Sequence, residues 1–492
     1  MRPRFFASAA AALSAALSAS LAVAADPLPL PGIGGPPNKP AVTAPALPAI
    51  PNVGGGAPNF LPAIQPQEKG APVPKPLPVV PQPRAPGEAP PVIPDAPVPM
   101  SEAQVATPAT MTMPLDKSFH DDHLGPWNTV WVRGGYTYLW IKDAPSSPPL
   151  LGTTNAGVPT ALLGGQNTNT SYGGYSGATV DAGMWLNERH TIGLGVSGFI
   201  SEKRSAVASQ TSDALGNPLL VRPFYNAQVG GTNANDSLIV SSPERFAGSL
   251  AVERGARVDG FEINLLMNVC NTQAWTANFS FGMRYFDLDE YQTVYQVTQS
   301  LTGNTIPYFN QTFVNGVAIT DRFHTRNQFY GTQFGGDFEY RHGALFADVG
   351  VKAALGPVHQ ITDVSGETIA PGAAGGPGGF LAVGSVPNGN QGRTSTNYFA
   401  VLTDVNGTLG IQITNKLRVG LGYQFLYLNT VARPSNQIVT TIDPRLVPVS
   451  TSFNGRTPSN TQVGGPGTPP QTPFNRDDFF VHGLRFLFEF QY

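Results

Sequence analysis

Ten segments of this chain alternate apolar and polar residues with period two, and in each of them one phase is almost wholly apolar. They run from Thr129 to Ile141, Tyr175 to Leu186, Thr191 to Ile200, Arg257 to Val269, Trp275 to Tyr285, Asn327 to Tyr340, Ala344 to Leu355, Tyr398 to Ile413, Leu417 to Leu428 and Phe480 to Tyr492. Successive side chains of a strand point to opposite faces, so each segment reads as a strand with one dry face. That face is too apolar for water. Phe261, Ile263, Leu265, Met267 and Val269 form it in one segment; Leu417, Val419, Leu421, Tyr423, Phe425 and Tyr427 form it in another. Set from such residues, the apolar phase is read as closed to Asp, Glu, Lys and Arg throughout, because an Arg or Lys facing lipid at mid-depth costs ~2 to 4 kcal/mol. Each segment reaches the ~9 to 11 residues of a tilted membrane-crossing strand, and no later stretch has the ~20 consecutive apolar residues of a spanning helix.

Alternation alone also fits a sandwich or a propeller. Two further patterns favour an antiparallel transmembrane β-barrel of about ten strands. Connections alternate between tight (Asn187 to His190, Cys270 to Ala274, Arg341 to Gly343, Thr414 to Lys416) and long (Lys142 to Gly174, Ser201 to Ala256, Asp287 to Arg326, Gly356 to Asn397, Asn429 to Asp478). Short periplasmic turns facing long extracellular loops are the outer-membrane pattern, and an even strand count puts both termini in the periplasm. The apolar phase also carries aromatics at two levels: Trp275, Tyr340 and Tyr492 at the turn end, and Tyr138, Trp140, Tyr285, Tyr330 and Tyr427 at the loop end. These are the positions expected of two interfacial girdles. Phe246 to Arg254 and Tyr291 to Gln299 could extend strands or add two more, giving twelve.

The opposite phase holds Arg133, Asp181, Glu262, Arg284, Asp337, Glu339, Asp348, Lys352, Asp404, Arg418, Arg485 and Glu489, five basic against seven acidic residues. These are the expected lumen-facing residues. Asp348/Lys352 and Arg485/Glu489 suggest pairing along single strands. A barrel of ~8 strands is just filled by its own side chains, so ten strands imply a narrow, mostly plugged lumen.

The last segment adds an address. Phe486, Phe488, Phe490 and Tyr492 share the lipid phase and end the chain on an aromatic residue, the form of C-terminal strand that barrel-insertion machinery reads. At the other end, Arg2 and Arg4, the apolar run Ala7 to Val23 and the small residues before Asp26 read as a signal peptide over residues 1–25. Residues 26–126 are dense in Pro, Ala and Gly, including Val73-Pro74-Lys75-Pro76-Leu77-Pro78, and read as a disordered, semi-rigid spacer held in the periplasm. The barrel is expected over 127–492. One cysteine, Cys270, excludes an internal disulfide framework. A formal net charge of -3 without basic runs leaves nucleic-acid binding unsupported. The remaining histidines, His190, His342 and His482 among them, stand singly without metal-ligand spacing, and neither a metal nor a cofactor is expected.

Several stretches resemble the beta-barrel porin family of the seventh type, whose members are secreted outer-membrane proteins of mostly uncharacterised function. They are Arg222-Pro223-Phe224-Tyr225-Asn226, Gly282-Met283-Arg284-Tyr285-Phe286-Asp287-Leu288-Asp289-Glu290, and Thr325-Arg326-Asn327-Gln328-Phe329-Tyr330-Gly331. The resemblance continues through Val351-Lys352-Ala353-Ala354-Leu355-Gly356, Asp404-Val405-Asn406, Gly422-Tyr423-Gln424-Phe425-Leu426-Tyr427, Arg433-Pro434 and Asn436-Gln437-Ile438. Individually weak, they become specific by their order, and they cover nearly all of Trp131 to Tyr492. The resemblance implies the barrel and the outer membrane.

Three functions remain open. The first is a narrow channel for small solutes. The second is an adhesin or structural envelope protein whose long loops meet extracellular ligands. The third, placed last because no recognisable motif supports it and no enzyme is expected, is an omptin-like surface hydrolase, for which Asp321, His324, His359 and Asp363 could meet above the membrane. Partners expected on any of them are outer-membrane lipid and the insertion machinery.

Overall fold

Each alternating segment forms a strand, and hydrogen bonding passes from strand to strand until the last meets the first. The computed structural model describes residues 130–492 apart from 146, 156–157, 166–171, 228–233, 309–310, 371–375, 385–388 and 448–473. The expected signal peptide (1–25) and Pro-rich spacer (26–126) lie outside the described residues. The barrel strands are β1 (Val130–Ile141), β2 (Gly174–Trp185), β3 (Ile192–Ser201), β4 (Phe246–Asn271), β5 (Trp275–Ser300), β6 (Gly316–His342), β7 (Leu345–Ile369), β8 (Gly392–Thr414), β9 (Leu417–Ala432) and β10 (Arg476–Gln491). All neighbours are antiparallel. The ring closes between β1 and β10, with Arg133 opposite Glu489 and Tyr138 opposite Leu484, and the Tyr492 amide donates to the Val130 carbonyl. The ring therefore has ten strands, not twelve.

Phase and face agree. Val180, Ile263, Met283, Phe334, Val351, Leu409 and Leu421 stand exposed on the outer wall, where lipid meets them. Phe486, Phe488, Phe490 and Tyr492 are among them, at 45, 53, 44 and 53% exposure. At the turn end Trp275 stacks against Tyr340 at 4.2 Å, and towards the loop end Tyr285 lies 5.1 Å from Tyr330.

Two expectations need correcting. First, much of the sequence assigned to long connections is strand. β4 to β7 run for 25 to 27 residues, against ~11 needed for a bilayer, so ~50 Å of ladder continues past the membrane. Phe246 to Arg254 and Tyr291 to Gln299 lengthen β4 and β5 rather than adding strands. Arg204–Thr211 continues the wall beside β4. Secondly, the outward phase is not free of charge over the whole fourth segment. Arg257 and Asp259 share it with Phe261, paired at 2.9 Å; beside them lie Asp287 with Arg326 at 2.8 Å and Asp289 with His324 at 3.1 Å. These ion pairs begin immediately beyond Phe261, Tyr285 and Tyr330. The outer wall turns from lipid-facing to water-facing at that level, so a charge there carries no membrane penalty.

Beyond the membrane the tall wall is not hollow. A five-stranded sheet of Leu151–Asn155, Val158–Leu163, Leu220–Asn226, Ala234–Ser241 and Thr441–Ile442 lies against its inner face. Phe246, Leu250, Val294, Ile319 and Phe323 of the wall join Leu151, Leu220, Phe224, Val240 and Phe380 in one core.

Candidate functional site

The interior of the barrel is layered, and the layers follow from the inward phase of each strand. In the turn-end half, all twelve sequence-expected lumen residues line one cavity of about 300 Å³: Arg133, Asp181, Glu262, Arg284, Asp337, Glu339, Asp348, Lys352, Asp404, Arg418, Arg485 and Glu489. Their pairing differs from the expected one. Residues four apart on a strand are separated by ~13 Å, too far for an ion pair, and the charges reach across instead. Lys352 of β7 meets Glu262 of β4 at 2.5 Å, Arg284 of β5 meets Asp404 of β8 at 2.6 Å, and Arg418 of β9 meets Glu339 of β6 at 3.3 Å. Each of these pairs spans three strands. Arg485 meets Asp181 at 3.3 Å, and Arg133 meets Glu489 at 2.5 Å. These braces neutralise charges that the enclosed site desolvates, and they tie opposite arcs of the ring together.

Above Arg284 the inward phase becomes apolar. Leu139, Val258, Phe286, Phe329, Val358, Leu402, Leu426, Phe479 and Val481 form one buried cluster with Tyr172 and Tyr175. Phe286 on β5 and Phe479 on β10 belong to strands half a ring apart, yet their ring centroids lie 6.2 Å from each other. Side chains of opposite walls therefore touch, and the lumen is shut at this level. Burial pushes the Tyr172 phenol above its ordinary pKa, with the Glu290 charge acting the same way.

A second set of polar groups locks the loops onto the barrel. Arg433, fully buried, pairs with the equally buried Glu290 at 2.7 Å and donates to the carbonyl oxygens of Asp143 and Lys142. Arg222 is 1% exposed and pairs at 2.9 Å with Asp321, which is 0% exposed. Asp321 also accepts hydrogen bonds from the Leu381 and Ala382 amides. Beside β1, burial opposes the charge of Lys142, but hydrogen bonds to Asp478 and Asp477 hold its ammonium above the usual value.

Of the four candidate hydrolytic residues, His324 and Asp363 stand opposite each other in the β6–β7 register, but the four do not converge on one site. Asp321 lies on the inward phase of β6, engaged by Arg222, while His324 lies on the outward phase with Asp289. His359 is bonded to Asn397 at 2.7 Å. Three residues apart on a strand means opposite faces, so Asp321 and His324 do not form a dyad. Among the described residues no group of three or more His, Cys, Asp or Glu could hold a metal.

Sequence reasoning missed Arg341, which it placed in a turn, and two aromatic cavity residues, Trp131 and Trp185. Aromatics near strand ends are expected outside, in the girdles. Both, however, share the phase of a charged lumen residue, Trp131 with Arg133 and Trp185 with Asp181, and that phase was the available signal. Both line the cavity at its turn end.

With the architecture in place, comparison with known proteins decides the family. The sequence model described as "Putative beta barrel porin-7 (BBP7)" matches residues 131–492. The chain belongs to this family. It is an outer-membrane β-barrel of porin type, and the Arg222 and Arg433 motifs that carried the resemblance are the two buried clamps. No curated protein matches the chain. Among solved structures, the outer membrane protease OmpT from Escherichia coli aligns at 10% identity over 75% of this chain and 98% of its own, with a TM-score of 0.36. A deletion mutant of the monoaromatic hydrocarbon channel TodX aligns at 10% identity over 77% and 93%, with a TM-score of 0.19. The toluene transporter TbuX from Ralstonia pickettii aligns at 8% identity over 74% and 90%, also at 0.19.

Proposed function

We propose that the protein is a narrow porin-type barrel for small solutes, held closed in the state described. Its short turns face the periplasm, its tall wall faces outward, and residues 26–126 form a periplasmic spacer behind a cleaved signal peptide. The observation that carries this reading is the polar, braced vestibule that ends at the Phe286–Phe479 contact. Solute from the turn end reaches the charged residues and stops there, and passage requires both the apolar layer and the packed core beyond it to part. The aromatic phase of β10 serves the insertion machinery. The protein is not an enzyme on this reading.

A second reading has its own support. The packed core outside the membrane, locked by Arg222–Asp321, is a rigid platform of the kind that surface binding uses. Planar-bilayer recording of the refolded protein separates the two. The closed-channel reading expects no steady conductance from wild type and open, narrow steps from a triple variant that joins Phe286→Gly/Phe479→Gly to Arg222→Ala, which frees the packed core from Asp321. A folded triple variant that stays silent would sink the channel reading and leave the surface platform.

A further inference from the structure

The turn end of the vestibule is built differently from the braced layer above it. On β1 and β2, Trp131 and Trp185 turn inward with ring centroids 5.7 Å apart, and His190 stacks on Trp185 at 6.0 Å and 18°. Two glycines make room for them. A Cβ at Gly183 would overlap the Trp131 ring, and one at Gly193 would lie 2.8 Å from Cε3 of Trp185. Three aromatic rings thus line one wall of the cavity, Trp185 and His190 nearly parallel and Trp131 inclined at 46° to Trp185.

In a ring of ten, β1 and β2 stand across the lumen from β6 and β7. The facing wall carries Asp337 and Asp348, both lining the same cavity. Among the described residues neither carboxylate forms an ion pair or hydrogen bond, unlike Glu262, Glu339, Asp404 and Glu489 beside them. Asp337 and Asp348 therefore face the cavity with acceptor capacity to spare.

We propose that this vestibule binds a sugar ring, stacked on Trp131 and Trp185 with its hydroxyls donating to Asp337 and Asp348. A pyranose has an apolar C–H face that packs on an aromatic ring and a rim of hydroxyls that needs acceptors, and the two walls supply one each. Net charge points the same way. Six basic side chains against seven acidic ones line the cavity, a near balance that suits a neutral ligand better than an ion. At about 300 Å³ the space sits at the lower end of the ~300–1,000 Å³ of small-molecule sites, enough for a short saccharide. Because the Phe286–Phe479 layer closes the far side, the ligand enters from the turn end. It is either a free oligosaccharide or the end of a cell-wall glycan.

The proposal relies on the porin-type reading for the direction of entry, but its test needs no membrane current. The refolded full chain in detergent is titrated with maltose, with N,N′-diacetylchitobiose and with choline, each followed by calorimetry and tryptophan fluorescence. Saturable binding of a disaccharide is expected, weakened about tenfold by Trp131→Ala, weakened by Asp348→Asn, largely kept by Trp131→Phe, and unchanged by Trp275→Ala on the lipid face. Tighter binding of diacetylchitobiose than of maltose identifies the glycan end as the source; the reverse order identifies a free oligosaccharide. Variants are compared only where heat-dependent gel mobility shows an intact barrel, and Trp131→Phe keeps the test decisive if Trp131→Ala does not fold. Absence of saturable binding to both sugars, binding indifferent to Trp131 and Asp348, or binding of choline alone would overturn the proposal. A silent bilayer together with sugar binding would count against the channel and not against the site.

Discussion

The two halves of the barrel interior fill the same ring of ten strands with opposite chemistry. In the turn-end half the filling is charge, braced across the lumen by pairs that still touch a cavity: Arg485 and Asp181 retain 9% and 18% exposure. In the loop-end half it is hydrocarbon interrupted by ion pairs with no exposure, Arg433 with Glu290 and Arg222 with Asp321. Water therefore shares the task of solvating charge in one half and has no access in the other. The same kind of contact should carry very different energy in the two.

The largest effect tests that difference directly. Asp321→Ala leaves Arg222 buried without its counter-charge, bonded to the neutral Gln296, which should cost about 3 to 5 kcal/mol; Asp181→Ala leaves Arg485 within reach of the cavity and should cost about 1 kcal/mol or less. Equilibrium unfolding of the refolded protein in urea measures both, and equal losses would erase the distinction. Next comes packing. Phe479→Ala empties the layer where opposite walls touch and should cost about 3 to 5 kcal/mol. Phe488→Ala on the same strand faces lipid, whose chains fill the space, and should cost clearly less. A third comparison runs along the outer wall. Val351→Arg puts a charge in the lipid-facing belt and should destabilise the barrel in vesicles by about 2 to 4 kcal/mol. Val297→Arg lies on the outward phase of β5 beyond the belt of ion pairs and should change stability by less than about 0.5 kcal/mol. A large penalty at Val297 would mean that the membrane reaches higher than Asp287 and Arg326.

Which parts of this were legible in the sequence follows from what alternation can report. Where one face meets lipid and the other a charged lumen, contrast between phases is maximal, and the ten crossings and all twelve lumen charges stand out. Beyond Tyr285 and Tyr330 that contrast disappears. The outer face of β5 becomes Asp287, Asp289, Tyr291 and Thr293 while the inner face carries Glu290 and Gln292, so a continuing strand reads as a polar loop. Pairing across the ring is invisible for a different reason. Lys352 with Glu262 and Arg284 with Asp404 depend on closure and register, which local sequence does not encode, and proximity in sequence suggested Asp348 with Lys352 instead. Trp131 and Trp185 were passed over because aromatics at strand ends are expected outside. Their phase, shared with Arg133 and Asp181, placed them within.

A closed barrel is defined by where water stops inside it. Asn406 and Ala400 lie on the inward phase of β8, Asn406 in the vestibule wall and Ala400 in the buried apolar layer. In a Cys270→Ser background, Asn406→Cys and Ala400→Cys are each exposed to a small water-soluble thiol reagent with the barrel folded. Rapid labelling of Asn406→Cys, with Ala400→Cys unreactive until the protein is unfolded, is the expected result; labelling of Ala400→Cys at the same rate would show an open lumen and contradict it.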